Sequence, residues 1–256
     1  MSSSLTAREV ADRIRRNRGG GAFSAGNPEA SVTGIVTTFT PTLDVLRKAV
    51  AGGKNMIVSH EQPFWNRRPQ TFEKNPTYAF KQDFIARNGL IVWRIDAPRE
   101  VDVPRRALAR SLGWERYGKD DSAFFRLPPG SLVDLANSIR RSLRISALRV
   151  IGDPQTKVSK VALTHGMMLV PELQGILQEP ELDAVVIGEP VEWEASPYFM
   201  DVIASGRKMG LLVLGQEASE EPGCRETAAW LKSIVPEVPV EWIPAGEPFW
   251  VLEQEQ

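Results

Sequence analysis

Cysteine and histidine are scarce in this sequence: Cys224, His60 and His165 are all it has in 256 residues. One thiol cannot close a disulfide within the chain, nor can it build a zinc site of four cysteines. That scarcity fits a reducing compartment, and a cytoplasmic location is the expectation. Charge of either sign is not in excess, with a formal net of −1. No global field draws the chain to nucleic acid or to an anionic membrane, and neither is expected as a partner. No apolar run approaches the ~18 residues that a membrane-spanning helix needs. The first residues lack the apolar centre of a secretory signal, and "ADRIRRNR" reads as a solvated basic helix face. Phosphate-cradling glycine loops are missing as well. "RGGGAF" has neither the Lys-Ser/Thr ending of a P-loop nor the spacing of a dinucleotide fingerprint, which excludes a plain dinucleotide-binding domain. There is no Gly-x-Ser-x-Gly nucleophile elbow.

What is present is an ordinary globular mixture, 42% hydrophobic and 25% charged. It suffices for one large domain or two small ones. Apolar bursts alternate with segments of helical period. "GIVTTF" reads as a strand, "PTLDVLRKAVAGG" as a helix with Leu43, Leu46 and Val50 on one face, and "NMIVSH" as the next strand. Such strand–helix–strand units build parallel sheets with right-handed crossovers. "YAFKQDFIARN", "GLIVWRID" and "VPRRALARSLGW" continue as helix, strand and helix. "LPPG" then breaks the pattern, and "SLVDLANSIRRSLRIS" forms a connecting helix with Ser131 as its cap and Asp134 three residues on. After it the elements repeat. "VSKVALTHG" matches "VTGIVTTFT" in kind, "AVVIG" ends at Glu189, and "SPYFMDVIASGRK" mirrors "TYAFKQDFIARN". "GLLVLGQE" mirrors "GLIVWRID", and "CRETAAWLKSIVP" mirrors the helix at 104–113. The expected fold is therefore a duplicated α/β unit: two similar lobes of mixed or parallel sheet flanked by helices. The division is expected as residues 1–130 and 131–256.

In parallel α/β sheets ligands bind beyond the carboxyl ends of the strands. Those ends carry Thr37–Thr38, His60–Glu61, Asp96, Thr164–His165, Glu189 and Gln216–Glu217, with Glu100 and Glu220 shortly after. Crowded carboxylates repel unless protonated or bridged by a cation. Carboxylate, amide and imidazole donors favour the harder ions: manganese, magnesium, calcium or ferrous iron. Any one such acid is equally explained as a helix cap or a solvated side chain; the coincidence across several ends is what raises a metal site. Adjacent residues of a strand point to opposite faces, so His60 and Glu61 converge only where the strand has curled. Trp65, Trp93 and Trp193, with Phe64, are either an aromatic wall around a ligand or packing residues. Arg67, Arg68 and Arg94 are either an anion clamp or solvated surface. Cys224 follows "EEPG", reads as opening a helix, and is taken as structural.

The stretches "TGIVTTFTPTLDVLRKAVAGGKNMIVSHEQPFW", "GLIVWRIDAPREVD", "DAVVIGEP" and "MGLLVLGQEASEEPG" resemble the Nif-three-like, or GTP cyclohydrolase I type 2-like, dinuclear-metal proteins. The resemblance covers nearly the whole chain. It implies two similar α/β lobes, a ring-shaped homo-hexamer, and two metals in a cleft between the lobes. The family's first motif has two adjacent histidines where this chain has His60 and Glu61. Its second motif has a histidine and, four residues later, an aspartate, where this chain has Asp96 and Glu100. Its last motif, Gly-His-x-x-Ser/Thr-Glu, corresponds to "GQEASE", with Gln216 and Glu220. The resemblance thus implies His60, Glu61, Glu100, Gln216 and Glu220 as ligands of one or two divalent ions: manganese, iron, magnesium or zinc. Exchange of imidazole for oxygen donors lowers affinity for zinc and late transition metals. Asp96 or Glu189 would act as general base in a metal-dependent hydrolase of a nucleotide-like or phosphorylated small molecule. The competing expectation is a non-catalytic oligomeric scaffold that binds metal or ligand.

Overall fold

A computed structural model of the chain describes residues 5–65, 75–96, 103–119 and 122–252. Contacts divide the chain into two compact units. Unit 1 comprises Met1–Val101 and Cys224–Ala245; unit 2 comprises Asp102–Gly223 and Gly246–Gln256.

Unit 1 begins with α1 (Ala7–Arg18), β1 (Gly21–Ala25), β2 (Ile35–Thr38), α2 (Leu43–Ala51) and β3 (Met56–Ser59). It continues with α3 (Pro76–Arg87) and β4 (Ile91–Ile95). Its sheet runs β1-β4-β3-β2 and then a last strand from the C-terminal part of the chain, Val240–Trp242. All neighbours are parallel except β1, which is antiparallel to β4. β2 and β3 are buried at every position, so both faces are covered. Ile35, Met56, Val58, Ile91 and Trp93 pack with Val10 and Ile14 of α1 on one face. Val36, Ile57 and Val92 pack with Val45 and Leu46 of α2 on the other. Neighbouring residues of one strand therefore serve opposite cores, as the pleat requires.

Unit 2 opens with α4 (Val103–Ser111), a 3₁₀ turn (Glu115–Tyr117), β5 (Phe124–Ser131), α5 (Leu132–Leu143), β6 (Arg149–Ile151) and β7 (Lys157–Leu163). There follow β8 (Met167–Met168), α6 (Val170–Ile176), β9 (Ala184–Ile187), β10 (Glu189–Pro190), α7 (Glu192–Ala204) and β11 (Gly210–Val213). The main sheet runs β5-β7-β9-β11-β6, with β7, β9 and β11 parallel and both edge strands antiparallel. β8 and β10 form a small parallel pair. Ala162, Val185, Ile187 and Leu211 face Phe199 and Leu173. Val161, Leu163, Val186 and Leu212 face Leu108, Leu132 and Ile139.

The duplication is visible in the topology. β1-β4-β3-β2 and β6-β11-β9-β7 have the same chain order and the same antiparallel first member. The chain is a mixed α/β protein with two such sheets flanked by helices. A single cut at 130/131 does not describe the two units. Leu108 and Ala109 of α4 pack in the unit 2 core. The long helix α8 (Gln216–Ile234) supplies Ala228 and Leu231 to the unit 1 core and leads into β12 (Val240–Trp242), which pairs with β2.

Ser131 caps α5 as expected, accepting from Asp134 N at 3.2 Å. "LPPG" lies within β5, where the register slips between Arg126 and Gly130. β5 is an edge strand, where proline's missing donor is tolerated. α8 begins at Gln216 rather than at Cys224, which is buried inside it. Among the described residues no helix is long and apolar enough to cross a membrane.

Candidate functional site

In unit 1 the chain bends as it leaves β3. His60 N donates to Thr38 O at 3.1 Å, Glu61 N donates to Phe39 O at 2.8 Å, and Ser59 Oγ donates to Glu61 O at 2.6 Å. These bonds end the pleat, so two adjacent side chains can turn toward each other. His60 Nε2 lies 3.9 Å from Glu61 Oε1, and both side chains are partly exposed. The imidazole stacks on Phe39, with ring centroids 5.5 Å apart at 16°. The loop that follows is fastened to α3. Lys81 Nζ donates to Pro63 O at 2.6 Å, and the Tyr78 hydroxyl bonds both the amide and the carbonyl of Trp65. Lys81 is buried, and desolvation pushes its ammonium down to a pKa of about 8.

Asp96 follows β4. Its Oδ1 accepts from Arg94 Nη2 at 2.6 Å, and its carboxylate abuts Gly20. Arg94 is thereby half of an exposed ion pair. Trp93 is fully buried, against Phe23 and the Arg15 guanidinium, so it is a packing residue. Glu100, Arg67 and Arg68 lie outside the described residues.

Unit 2 holds a tighter pair at the carboxyl ends of its strands. His165 Nδ1 lies 2.9 Å from Glu220 Oε1, and the Glu220 side chain is 6% exposed. Ser219 Oγ accepts from Gly166 N at 3.0 Å and donates to Gln216 O at 2.6 Å, which locks the first turn of α8 against the loop after β7. Glycine is demanded twice. A Cβ on Gly166 (φ +62°) would sit 2.6 Å from Glu220 Oε1, and one on Gly188 would sit 2.3 Å from Gly166 O and 2.6 Å from Ser219 Oγ. Glu189 N donates to Gly166 O at 2.8 Å, while its side chain is exposed. Gln216 is partly buried as the first residue of α8. Burial, with Glu247 nearby, raises Glu217 to a pKa of about 7. Trp193 lies exposed on α7.

The expected site residues therefore fall as His60, Glu61 and Asp96 in unit 1, and Glu189, Gln216 and Glu220 in unit 2, the last joined by His165. Among the described residues no three His, Cys, Asp or Glu side chains gather as a metal-binding group; the arrangement is two imidazole–carboxylate pairs. Gly166, Gly188 and Ser219 carry geometry that the sequence reading passed over. The signal available for the first two was a glycine placed three residues beyond, or directly after, an apolar burst.

Comparison with known proteins places these features in context. The model of the family described as Duf34/NIF3 (NGG1p interacting factor 3) matches residues 20–245. The "GTP cyclohydrolase 1 type 2 homolog" of Clostridium acetobutylicum is 26% identical over 157 residues, 55% of this chain and 58% of that protein. The match thus spans little more than half of that relative's length. Among solved structures, the Bacillus cereus protein related to NIF3 superposes with a TM-score of 0.78 at 12% identity, covering 98% of this chain and 100% of that one. The Staphylococcus aureus hypothetical protein SA1388 superposes with a TM-score of 0.76 at 15% identity, covering 98% and 100%. At these identities the two structures speak for the fold.

Proposed function

The chain belongs to the Duf34/NIF3 family, and from that premise we infer that it binds divalent metal and hydrolyses a nucleotide-like or phosphorylated small molecule. The observation that carries this reading is the His165–Glu220 pair, a buried carboxylate held 2.9 Å from an imidazole at the head of a helix. His60 and Glu61 supply a second pair of the same donor types. The donor set fits hard or borderline divalent ions. Each pair gives one nitrogen and one carboxylate, and leaves coordination positions for water or substrate oxygen. The proposed ligands within the described residues are His60 and Glu61 in unit 1, and His165, Gln216 and Glu220 in unit 2, with Glu100 carried only by the resemblance. An ion bound there would polarise a water or a phosphoryl oxygen.

The chain's own groups have separable tasks in this reading. Ser219 and Gly166 hold the helix turn that aims Glu220. Phe39 keeps the His60 ring in one plane. Glu189, exposed at the start of β10 just after β9, is the proposed general base. Asp96 is the less suitable base, because Arg94 already occupies one of its oxygens. The name of the Clostridium relative directs the first substrate panel toward purine nucleotides.

A non-catalytic scaffold is the second reading, favoured by one observation: Gln216, a neutral and weak ligand, stands where the family's motif has an imidazole. Elemental analysis of protein purified without chelator or histidine tag separates the two. The hydrolase reading expects a stoichiometric ion, turnover of purine nucleotides or a generic phosphoester, and loss of both in Glu220→Gln. Bound metal without turnover on a broad panel selects the scaffold. Absence of metal after manganese loading sinks the hydrolase and leaves the scaffold as a binder of another ligand.

A further inference from the structure

Beyond the His165–Glu220 pair, two strand-end loops of unit 2 run on as a short ribbon. β8 and β10 lie parallel, with Met167 opposite Glu189 and Met168 opposite Pro190. Glu189 N donates to Gly166 O at 2.8 Å and Val191 N donates to Met168 O at 3.3 Å, so the ribbon is fixed at both ends. Its two sides differ. Met168 and Pro190 are buried, and Met168 packs with Ile187 and Phe199 in the core. Met167 and Glu189 alternate to the other side and are exposed, Met167 at 63%. The chain stays extended through Leu169 (φ −88°, ψ 157°). Leu169 therefore shares the side of Met167, and it is 45% exposed. The outward side is a strip of two apolar side chains with a carboxylate beside the first.

The strip adjoins the site. A Cβ on Gly166 would sit 2.6 Å from Glu220 Oε1, so the backbone entering β8 passes against the carboxylate that meets His165. Consecutive Cα atoms are ~3.8 Å apart and paired strands ~4.8 Å, which puts Met167 one residue from that contact and one strand from Glu189.

The chemistry of the strip selects its occupant. A phosphate is repelled by Glu189 and gains nothing from methionine and leucine. A flat heteroaromatic ring gains from both kinds of group. Its face packs on the polarizable thioether, and N–H donors on its edge meet a carboxylate, which accepts. We propose that Met167, Leu169 and Glu189 form the subsite for the ring of a purine-like substrate, with the ring lying on Met167 and its N–H edge turned to Glu189. This rests on the reading of the site as one for a nucleotide-like molecule, and it adds the direction in which that molecule lies. The ring sits on the ribbon and the phosphate points away from it, toward His165 and Glu220. The ring, rather than the phosphate, is then the part beside the proposed general base.

The test uses the full chain with magnesium, isotopically labelled at its methionine methyl groups, and two probes: guanosine monophosphate and ribose phosphate. Met167→Leu identifies the Met167 signal. Guanosine monophosphate should move that signal upfield, as a ring stacked on the methyl requires, and ribose phosphate should leave it in place. By calorimetry, Met167→Ala with Leu169→Ala should weaken guanosine monophosphate by about tenfold or more and ribose phosphate by no more than about twofold. Met167→Leu, which keeps an apolar surface, should retain most of the affinity. Should the double variant fail to fold, Met167→Ala alone should show a loss of about threefold or more. Equal binding of both probes with an unmoved Met167 signal overturns the subsite and leaves the hydrolase reading standing. Binding of neither probe by protein that holds its ion overturns the nucleotide-like reading and the subsite together. A Met167 signal that moves with protein concentration and with neither probe assigns the strip to a contact between copies, and also overturns the proposal.

Discussion

The two sheets place different residues at matching positions. Ile35 pairs with Met56 at the start of one ladder, and Val161 pairs with Ala184 at the start of the other. Four residues further along each strand stand Phe39 and His60 in unit 1, and His165 and Gly188 in unit 2. One repeat has an aromatic ring supporting an imidazole on the middle strand. The other has its imidazole on the neighbouring strand and no side chain on the middle one. The empty Gly188 position lets Gly166 and Ser219 close in, and their contact aims Glu220 at His165. Duplication preserved the frame of strands and helices. It left the strand ends free to diverge, because they carry little of the core.

The comparison is most strongly broken at Gly188. Gly188→Ala should destabilise the protein by about 3 kcal/mol or more, since a Cβ 2.3 Å from a backbone oxygen has no room to relax. His60→Ala, at the matching position, should cost well under half of that. Denaturant titration of both variants checks the contrast.

Lys81 comes next, because it burdens unit 1 with a desolvated ammonium. Its pKa is about 8 in the fold against 10.5 in the unfolded chain. Between those values the unfolded chain holds the extra proton, so stability should rise as pH increases from 8 to 10.5, by on the order of 2–3 kcal/mol. Lys81→Met should flatten that rise. A wild-type stability that stays level or falls across the window would show that Lys81 titrates normally.

The two imidazoles should separate by a smaller margin. His165→Ala takes a partner from a buried carboxylate and should cost about 1–2 kcal/mol, whereas His60→Ala should cost about 0.5 kcal/mol or less. Thermal unfolding at fixed pH is the measurement. The smallest difference between the units is expected where their helix starts agree. Thr42 caps α2 and Ser131 caps α5 with the same bond to the third helical amide, so alanine at either should cost about 1 kcal/mol. Unequal costs would mean that the helix starts are not equivalent.

Much of the frame could be read in advance. Buried parallel strands announce themselves as short runs rich in apolar residues, and β2, β3, β9, β11 and the first half of β4 all appear as such. The Ser131–Asp134 cap is a local pattern and was equally legible. β1, β6 and β12 were not, because three to five residues at a sheet edge are held by their neighbour's ladder rather than by a pattern of their own. At the strand ends, the curl that joins His60 to Glu61 could be posed as a question from adjacency, but its answer lies in bonds to Thr38 and Phe39.

The sequence by itself determined the repeating order of strands and helices, the scarcity of soft metal donors, and the polar character of the strand ends. Those properties are written in local hydrophobic period and in side-chain chemistry. Only the tertiary structure decided that α4 joins unit 2 and the end of α8 joins unit 1, and that His165 meets Glu220 across 55 positions of chain. Such choices depend on which apolar faces find each other and on where two backbones approach too closely for any residue but glycine.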